Sequence, residues 1–569
     1  MNRPTCLFAA LLLLPAESVA QAPARVVGRV MDATTGAPLA AAEVGLGDRR
    51  AITSSEGTFL LGAVPPGRGT LLVRRVGYTP WADVVDVVPG MDRTVNVELS
   101  PLPLQLDSVT VVASPSAISI SGKELAARGS DLARALDGWE GVVVRHTGSG
   151  APASPQLRGG GPDEVLVVVD GFAVNDPFTG RADLGRISSK DVDRVTLVPG
   201  AQTVRAGSRA VAGVIVVDTR RPLRPEGSAW MADHGARGFR LGAATGSLTL
   251  SASSERYPDR FPYTIPEVRG GGEGDRLNAG GNLYTASARL EGPVELSIRG
   301  SQSDRGLPGT TTNPTLAARA HDRTALVGAR GTGLLDWSGS VQWLETRAED
   351  PSPPTGPAYN SYTHGIGGTL EAGYRRPIRV GGWAGEAGVA AEGRADRFGG
   401  DGVRSGASFT HAALRSDASL HRGGSTVWTL APAARLDVWT GQGTPMASAR
   451  VDVGWQRGRN GITAAVGSAV TPPVLADLLF REGVGVRLNP DLRPERVRWE
   501  AEAGVRREID RGTLSARVFY GRVGDMVVWA PDFRFIWSPR NFDVLRRGGE
   551  LSVALRPASA LRLDGSASY

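Results

Sequence analysis

Period-two alternation of apolar and polar residues constrains the fold of this chain more than any other feature. It recurs at about strand length from Glu226 to Tyr569, as in MASARVDVGWQ and VRWEAEAGVRRE. In the second stretch the two faces of a strand differ, with Trp499, Ala501, Ala503 and Val505 on one and Glu500, Glu502 and Arg506 on the other. Apolar residues outside and polar residues inside are typical of a transmembrane barrel. The sequence therefore predicts a transmembrane antiparallel β-barrel at 226–569, with a soluble many-stranded protein as the alternative.

The connections between these stretches alternate between short turns and long polar segments. The long ones include residues 254–282, 302–322 and 347–365. Barrels of the outer membrane have short turns on the periplasmic side and long loops outside the cell. A barrel would therefore place these long segments outside the cell, with a periplasmic or secreted protein as the alternative.

The N-terminus has the features of an export signal. Arg3 precedes an apolar stretch, and Ala20-Gln21-Ala22 has the form of a signal-peptidase site. We expect residues 1–22 to be removed together with Cys6, the single cysteine, so no disulfide is predicted. Because 18 apolar residues do not follow one another anywhere else, no transmembrane helix is predicted either.

Composition favours short strands and turns over long helices. The chain has 75 glycines and 38 prolines, which is typical of mainly β proteins. The formal net charge is +6, but the 64 basic and 58 acidic residues are interspersed. This distribution favours a solvated surface, or basic side chains beside anionic lipid headgroups, over a nucleic-acid partner.

Residues 24–100 consist of short alternating runs separated by glycine and proline, and they predict a small β-sandwich of about seven strands. The pattern G-x-V-x-D-x-x-T-G-x-P-L from Gly28, followed by T-x-x-x-G-x-F from Thr53, resembles the carboxypeptidase regulatory-like domain. The resemblance implies an accessory module rather than an enzyme.

In the linker that follows, residues 105–116, the β-prone run Val109–Val112 has prolines on both sides. With no neighbouring strand in the sequence, this run is suited to pairing with the sheet edge of another protein, and an ordinary interdomain linker is the alternative.

Residues 117–225 predict an α/β unit. Ser121 and Glu124 form a capping box, and a second helix is expected near Ser130. The runs Val165–Val169 and Val214–Val217 have the uninterrupted apolar character of strands buried on both faces. Turn residues follow the first run, with a tight turn at Asp170-Gly171 and a second reversal at Asn175-Asp176-Pro177.

The sequence has no recognisable cluster of reactive side chains. The six histidines lack metal-ligand spacing, and neither H-E-x-x-H nor G-x-S-x-G occurs. The carboxylate pairs Asp163-Glu164 and Asp191-x-Asp193 are interpreted as solvated turn positions rather than an acid/base site. We therefore predict no enzymatic activity, no metal site and no cofactor.

Four motifs in sequence order resemble the TonB-dependent outer-membrane receptors. They are LRGGG at 157–161, VLVVVDGFAVNDP at 165–177, DRVTLVPGAQTVRAGSRAVAGVIVVDTR at 193–220 and NPDLRPERVRWEAEAGVR at 489–506. The first three are similar to the plug domain of that family and the last to a late pair of barrel strands. The resemblance implies a plug at 117–225 enclosed by the barrel, which would bury the Val165–Val169 strand. The plug motif residues are Arg158, Gly159, Asp170, Gly171, Gly200, Gly207 and Gly213.

By the same resemblance, residues 107–113 look like the TonB box, which comprises Asp107, Ser108, Val109, Thr110, Val111, Val112 and Ala113. The implied mechanism begins with a scarce solute that binds outside the cell and changes the plug. The box is then exposed, and TonB, energised by its inner-membrane complex, takes it up as an added strand. The resemblance also implies a location in the outer membrane of a Gram-negative-type bacterium. The implied partners are TonB, outer-membrane lipid and a small-molecule or metal-chelate ligand, with a monomeric chain.

The end of the chain departs from the family pattern. Barrels of this family have about 22 strands. Strands of ~10 residues with their turns and loops would use up the residues after Glu226 before that number is reached. We therefore expect a barrel truncated at its C-terminus.

The ligand is not determined by the sequence. Aromatic residues in the long connections are candidates for solute contacts, namely Tyr257, Phe261, Tyr263, Tyr359 and Tyr362. The stretch VNDPFTG is most similar to cobalamin receptors, but ferric siderophore, haem and glycan receptors share the same frame. Two other classes stay open: a passive or adhesive barrel, and a secreted enzyme, which would need a catalytic cluster.

Overall fold

The computed structural model describes residues 24–569 apart from 34–35, 41, 76–77, 79–80, 100–103, 107–108, 112–114, 147–150, 266, 268–269, 312, 355, 405–406, 424–425, 442–443, 481, 483–484 and 559–560. The predicted export signal lies outside this part of the chain. The chain divides into two compact units, Met1–Pro101 and Leu102–Tyr569. The finer domain boundaries given above stay predictions.

The first unit is a β-sandwich of two four-stranded sheets. Its strands are β1 (Ala24–Asp32), β2 (Glu43–Leu46), β3 (Arg49–Ile52), β4 (Thr58–Val64), β5 (Gly67–Arg74), β6 (Trp81–Val87), β7 (Asp92–Thr94) and β8 (Val97–Leu99). One sheet has β1 between β4 and β7, with β8 also paired to β1, and the other has the order β3-β2-β5-β6. Alternate residues of both sheets, such as Val26, Val44 and Leu71, form a shared core. The predicted sandwich is confirmed.

The second unit begins with a hairpin of β9 (Leu104–Leu106) and β10 (Val109–Val111), followed by an α/β unit that we call the plug. Its strands are β11 (Ile118–Ser121), β12 (Val142–His146), β13 (Ala153–Leu157), β14 (Val165–Val169), β15 (Phe172–Ala173), β16 (Val192–Pro199) and β17 (Gly213–Thr219). Its helices are α1 (Gly122–Arg128), α2 (Leu132–Leu136) and α3 (Thr203–Ala206). Five strands form a sheet in the order β11-β16-β17-β14-β15, and β12 pairs with β13.

Helix α1 begins as the sequence predicts, because the Ser121 side chain accepts a hydrogen bond from the Glu124 amide. Helix α2 begins at Leu132, close to the predicted start. Its cap is Asp131, whose carboxylate accepts from the Arg134 amide. The two short helices pack on one face of the plug sheet.

Strand β14 is buried on both faces, as predicted. Val165, Val167 and Val169 pack in one core with residues of α1 and α2. Leu166 and Val168 lie in a second, smaller core on the opposite face. The resemblance implied that the barrel covers this strand. In the structure, other elements of the plug cover it on both faces.

The rest of the unit is a 17-stranded antiparallel sheet that we call the barrel. Its strands are β18 (Glu226–Met231), β19 (Arg237–Thr245), β20 (Leu248–Tyr257), β23 (Gly281–Leu290), β24 (Val294–Gly306), β25 (Arg319–Gly331), β26 (Asp336–Asp350), β27 (Tyr359–Val380), β28 (Trp383–Gly399), β29 (Ser408–Gly423), β30 (Thr426–Trp439), β31 (Met446–Arg457), β32 (Asn460–Thr471), β33 (Glu495–Ile509), β34 (Gly512–Pro531), β35 (Trp537–Ala558) and β36 (Leu561–Ser568). A hairpin of β21 (Phe261–Thr264) and β22 (Glu273–Arg276) and the helix α4 (Leu475–Leu479) lie in its long connections.

The predicted alternation of outward apolar and inward polar residues is confirmed in β33. Trp499 and Val505 are 40% and 56% exposed, whereas Glu500 and Glu502 are 2% and 8% exposed. Short and long connections alternate as well, but the strands run further than predicted. Thus β24 ends at Gly306 and β25 begins at Arg319, so the second long connection is only 307–318. None of the helices in the described part of the chain is long and apolar enough to cross a membrane.

Candidate functional site

Charged side chains fill the boundary between the plug and the inner wall of the barrel. Arg158 follows β13, and its side chain is only 2% exposed. It forms ion pairs with three wall carboxylates, at 3.6 Å to Glu500, 2.8 Å to Glu502 and 3.0 Å to Glu550. Burial by itself lowers the pKa of the guanidinium, but the carboxylates outweigh burial and raise the pKa above its ordinary value. Arg158 is therefore charged, and it holds two separate wall strands, β33 and β35, against the plug.

The region around helix α3 is a second contact between plug and wall. Arg205 reaches into the wall and lies 2.5 Å from Asp452. In the opposite direction, wall side chains bind the plug backbone, because Glu500 accepts from the Ala201 amide at 3.1 Å and Arg450 donates to the Ala201 carbonyl at 3.3 Å. The contact uses main-chain groups that the plug sheet leaves unpaired.

Asp170 lies at the tight turn between β14 and β15, as the sequence predicts. Its carboxylate accepts from the Thr219 amide and hydroxyl, and it forms ion pairs with Arg289 and Arg299 of the wall. Burial raises the pKa of the Asp170 carboxyl, but the two arginines and the Thr219 hydrogen bonds together hold it below its ordinary value. Asp170 therefore has two roles, in the turn and in docking the plug.

The motif glycines all have positive φ, at Gly159, Gly171, Gly200, Gly207 and Gly213. Gly171 has φ 89° beside Asp170 at φ 50°, and two consecutive positive φ values define the hairpin turn favoured by Asp-Gly. At Gly200, a Cβ atom would lie 2.7 Å from the Glu500 carboxylate. The φ of 81° therefore favours glycine at 200, and a larger residue there would displace the Glu500 carboxylate.

The interpretation of the two carboxylate pairs as solvated turns is wrong for one member of each. Glu164 is 3% exposed and forms an ion pair with Arg546 of the wall. Asp191 pairs with Arg240, whose side chain is 7% exposed. Asp193 is exposed, as expected. The turn pattern did not reveal these partners, because each arginine comes from a distant barrel strand.

Only part of the predicted TonB box lies in the described chain. Val109, Thr110 and Val111 form β10, whereas Asp107, Ser108, Val112 and Ala113 lie outside the described residues. The expectation of no neighbouring strand in the sequence is wrong, because β10 pairs in antiparallel fashion with Leu104–Leu106. Each strand has three residues, and β10 also lies against the barrel strands β26 and β27. The segment Val109–Val111 is thus extended, and its role as a TonB box stays a prediction.

The prediction that the five aromatic candidates lie in long connections is wrong for three of them. Tyr257 ends β20, and Tyr359 and Tyr362 lie in β27. Tyr257 donates to Glu255 and lines a polar cavity of about 70 Å³ beside α2, which has room for a few waters only. Phe261 and Tyr263 belong to the β21–β22 hairpin. Tyr359 and Tyr362 begin β27, where the Tyr362 ring packs beside His364. The structure therefore assigns no single solute site to this set.

The wall residues that hold the plug were missed by sequence reasoning. They include Glu500, Glu502, Glu550, Arg289, Arg299 and Arg546. The alternation in the strands does mark them as inward-facing positions, and that signal could have found them. In the described residues, no group of three or more histidine, cysteine, aspartate or glutamate side chains is arranged to hold a metal ion.

Two protein-family models match the chain. The TonB-dependent receptor plug domain matches residues 110–214, which contain β14, Arg158, Asp170 and Arg205. The carboxypeptidase regulatory-like domain matches residues 25–100. A plug domain of the kind found in TonB-dependent receptors therefore lies in this chain. Both resemblances inferred from the sequence motifs are thereby confirmed.

Relatives match part of the length of this chain. It is 30% identical over 156 residues to the vitamin B12 transporter BtuB of Vibrio cholerae, which covers 26% of this chain and 24% of that protein. It is 27% identical over 216 residues to the TonB-dependent transporter Oar of Myxococcus xanthus, which covers 34% of this chain and 20% of that protein. The matched stretch thus spans about a quarter of the length of BtuB and less of Oar.

Solved structures match the chain over most of its length. The ferric enterobactin receptor PfeA of Pseudomonas aeruginosa, in complex with enterobactin, has a TM-score of 0.60 at 16% identity and covers 80% of this chain and 81% of its own. The siderophore receptor PirA of Pseudomonas aeruginosa has a TM-score of 0.61 at 18% identity, with 80% and 85% covered. The copper transporter OprC has a TM-score of 0.61 at 16% identity, with 80% and 81% covered. At these identities the likeness establishes the fold, a plug with a transmembrane β-barrel.

Proposed function

We propose that this receptor lies in the outer membrane, binds a scarce solute outside the cell and imports it into the periplasm with energy transduced by TonB. One observation carries the proposal: the plug is fixed to the barrel wall by buried ion pairs at Arg158, Arg205, Glu164 and Asp170. A solute cannot pass such a plug unless part of it moves, and moving it requires work. An energised importer therefore fits the geometry better than a passive or adhesive barrel.

The position of the box indicates where that work would act. Strand β11, Ile118–Ser121, follows the box closely in the chain and forms one edge of the plug sheet. It pairs through only four residues with β16, whereas β14 and β17 lie inside the sheet. Tension on a box strand held by TonB would therefore separate β11 from β16 before it reached β14.

The solute in this proposal is a small molecule or a metal chelate. Relatives and solved neighbours are named as a vitamin B12 transporter, a ferric enterobactin receptor and a copper transporter. Cobalamin, ferric siderophores and copper are therefore the first solutes to test. TonB with its inner-membrane complex and outer-membrane lipid are the other partners, the chain acts as a monomer, and nucleic acid has no role.

The sequence-based division of the chain belongs to the same proposal. Residues 1–22 act as an export signal and residues 24–100 as the accessory sandwich. Residues 105–116 carry the TonB box and linker, residues 117–225 form the plug and residues 226–569 form the barrel.

Uptake of labelled cobalamin, ferric siderophores and copper by cells that express the full-length gene tests the proposal. Val111→Pro removes a backbone donor from the box strand, so we expect it to abolish uptake while ligand binding to whole cells stays intact. Val109→Pro should act in the same way. Thr110→Ala is the matched control, because it changes a side chain and keeps the backbone donors, and it should retain uptake. Uptake that is unaffected by either proline would contradict TonB energisation, and equal loss of binding would contradict the role of the box.

A further inference from the structure

Two carboxyl groups meet one guanidinium at the boundary between the plug and the barrel wall. Arg546 of β35 contacts Glu164 of the plug through Nη2, and the same nitrogen lies 3.8 Å from Oε1 of Glu495, the first residue of β33. All three residues are shielded from solvent, at 5%, 3% and 5% exposure. If both glutamates were ionised, two buried negative charges would face a single positive charge. We call Glu164 and Glu495 the carboxyl pair.

On the plug side, the carboxyl pair gains negative charge and no cation. Asp163 precedes Glu164 in the chain and repels the charged form of both glutamates. The charged neighbours of Asp163 beyond the pair include Arg209 and Asp477. Within the described residues, however, Arg209 forms no ion pair with either glutamate. The plug therefore supplies no second cation to the pair.

On the wall side, the other charges around the carboxyl pair are already engaged. Glu500 also attracts Arg546, which divides the single positive charge further. Arg158 pairs with Glu500 at 3.6 Å and with Glu502 at 2.8 Å, so its charge is used there. One guanidinium is thus left to the two glutamates.

A buried carboxylate without its own cation takes up a proton, because moving an unpaired charge out of water is costly. Burial raises the pKa of the Glu164 carboxyl above its ordinary value, and Arg546 opposes that rise. Glu164 also accepts a hydrogen bond from the Gly161 amide at 2.9 Å, which favours its ionised form. By contrast, Oε1 of Glu495 accepts no hydrogen bond from the described residues. The geometry therefore places the proton mainly on Glu495.

We propose that Glu164 and Glu495 share one proton while the plug is docked and release it when the plug leaves the wall. Separation exposes both carboxyl groups to water, where each ionises and the proton passes to solvent. Docking is therefore favoured by acid and weakens as the pH rises above about 4, the ordinary range of a glutamate. The inference rests on the proposed function and adds a regulation to it: pH changes the work that displaces the plug.

Infrared spectroscopy of the full chain in detergent at about pH 7 tests for the shared proton, through the C=O stretching band of a buried carboxylic acid. Glu164→Gln and Glu495→Gln should each lower the intensity of this band, because the remaining glutamate then has Arg546 to itself and ionises. Glu508 is 40% exposed and pairs with Arg506, so Glu508→Gln is the control and should leave the band unchanged. Unchanged intensity in either of the first two variants would overturn the shared proton.

Hydrogen exchange of the Ala201 amide tests the link to docking, since this amide binds Glu500 of the wall while the plug is in place. Wild type and Glu495→Gln are compared at each pH between about 5 and 8, which cancels the direct effect of hydroxide on exchange. Relative to the variant, wild-type docking should weaken by up to about tenfold per pH unit. A ratio that does not change with pH would overturn the proposal. Glu164→Gln gives the same comparison if Glu495→Gln folds poorly.

Both measurements use the purified chain without TonB or solute, so they are independent of the uptake experiment. Absence of box-dependent uptake together with pH-dependent docking would defeat the proposed function alone. Uptake that depends on the box, together with docking that is indifferent to pH, would defeat this inference alone.

Discussion

Arg158 Nε and Glu550 Oε1 lie 3.0 Å apart although 392 positions separate the two residues in the chain. Both side chains are shielded from solvent, at 2% and 8% exposure. A buried ion pair is most costly when one partner is removed, because the other charge is left without compensation. The ion pair therefore stabilises the docked position of the plug in the barrel. Replacing one of its partners is the most direct test of plug docking.

Replacing Arg158 should loosen the plug. Arg158→Met removes the cation from Glu500, whereas Glu502 keeps Arg450 and Glu550 keeps Arg517. Because one buried carboxylate loses its ion pair, we expect the free energy of unfolding of the plug to fall by about 3 kcal/mol. Hydrogen exchange of the Val165–Val169 amides in detergent-solubilised protein, followed against urea, measures this change.

The control for Arg158→Met uses an exposed ion pair. Arg459 pairs with Asp510, and their side chains are 63% and 84% exposed, so Arg459→Met should cost at most about 1 kcal/mol. An equal effect of the two substitutions would contradict the role assigned to Arg158.

Asp170 should make the docking of the plug sensitive to acid. Because its folded pKa lies below the ordinary value, the carboxylate contributes stability above about pH 4, and that stability is lost as the pH falls through the folded pKa. Asp170→Asn should lower plug stability at pH 7 and flatten its dependence below about pH 4. Protease protection of the plug between pH 3 and pH 7 measures both effects. An unchanged acid profile in the variant would rule out this assignment.

Asp477 should have the opposite pH dependence. It lies in α4, in the long connection before β33, where burial raises the pKa of its carboxyl to about 6 and a hydrogen bond from Trp529 opposes that rise. Since the fold favours the protonated form, local stability should be highest below about pH 4 and fall as the pH rises to about 6. Hydrogen exchange of residues 475–480 should become faster over that range in the wild type and not in Asp477→Asn, which keeps an acceptor for Trp529. Parallel profiles for the two proteins would count against the prediction.

Two glycine substitutions should separate backbone strain from steric contact. Gly159 and Gly200 both have positive φ, at 71° and 81°, so alanine at either should cost about 1–2 kcal/mol. Around Gly159 an added Cβ meets nothing within 4 Å, but at Gly200 it lies 2.7 Å from Glu500. Gly200→Ala should therefore destabilise the plug by about 1–3 kcal/mol more than Gly159→Ala. Urea unfolding of both variants provides the comparison, and equal losses would show that Glu500 moves aside at no cost.

Much of the fold follows from local patterns. The alternation in 495–509 predicted which side of β33 faces outward, and the apolar runs at 165–169 and 214–217 predicted two strands that are buried on both faces. Both features can be recognised within a few residues of sequence. Alternation has a period of two, and a strand that is buried on both faces has apolar residues at every position. Strand ends were less predictable, since polar residues such as Arg305 and Arg319 continue a ladder as readily as they begin a loop.

By itself, the sequence determined the classes of element, the inward and outward faces of the barrel strands, the turn at Asp170-Gly171 and the presence of a plug domain. Only the tertiary structure decided which charges meet, namely that Glu164 faces Arg546 and that Arg158 faces Glu550. The physical reason is range. Backbone conformation and side-chain period are set by neighbouring residues, whereas the partner of a buried charge depends on register and packing across hundreds of positions in the chain.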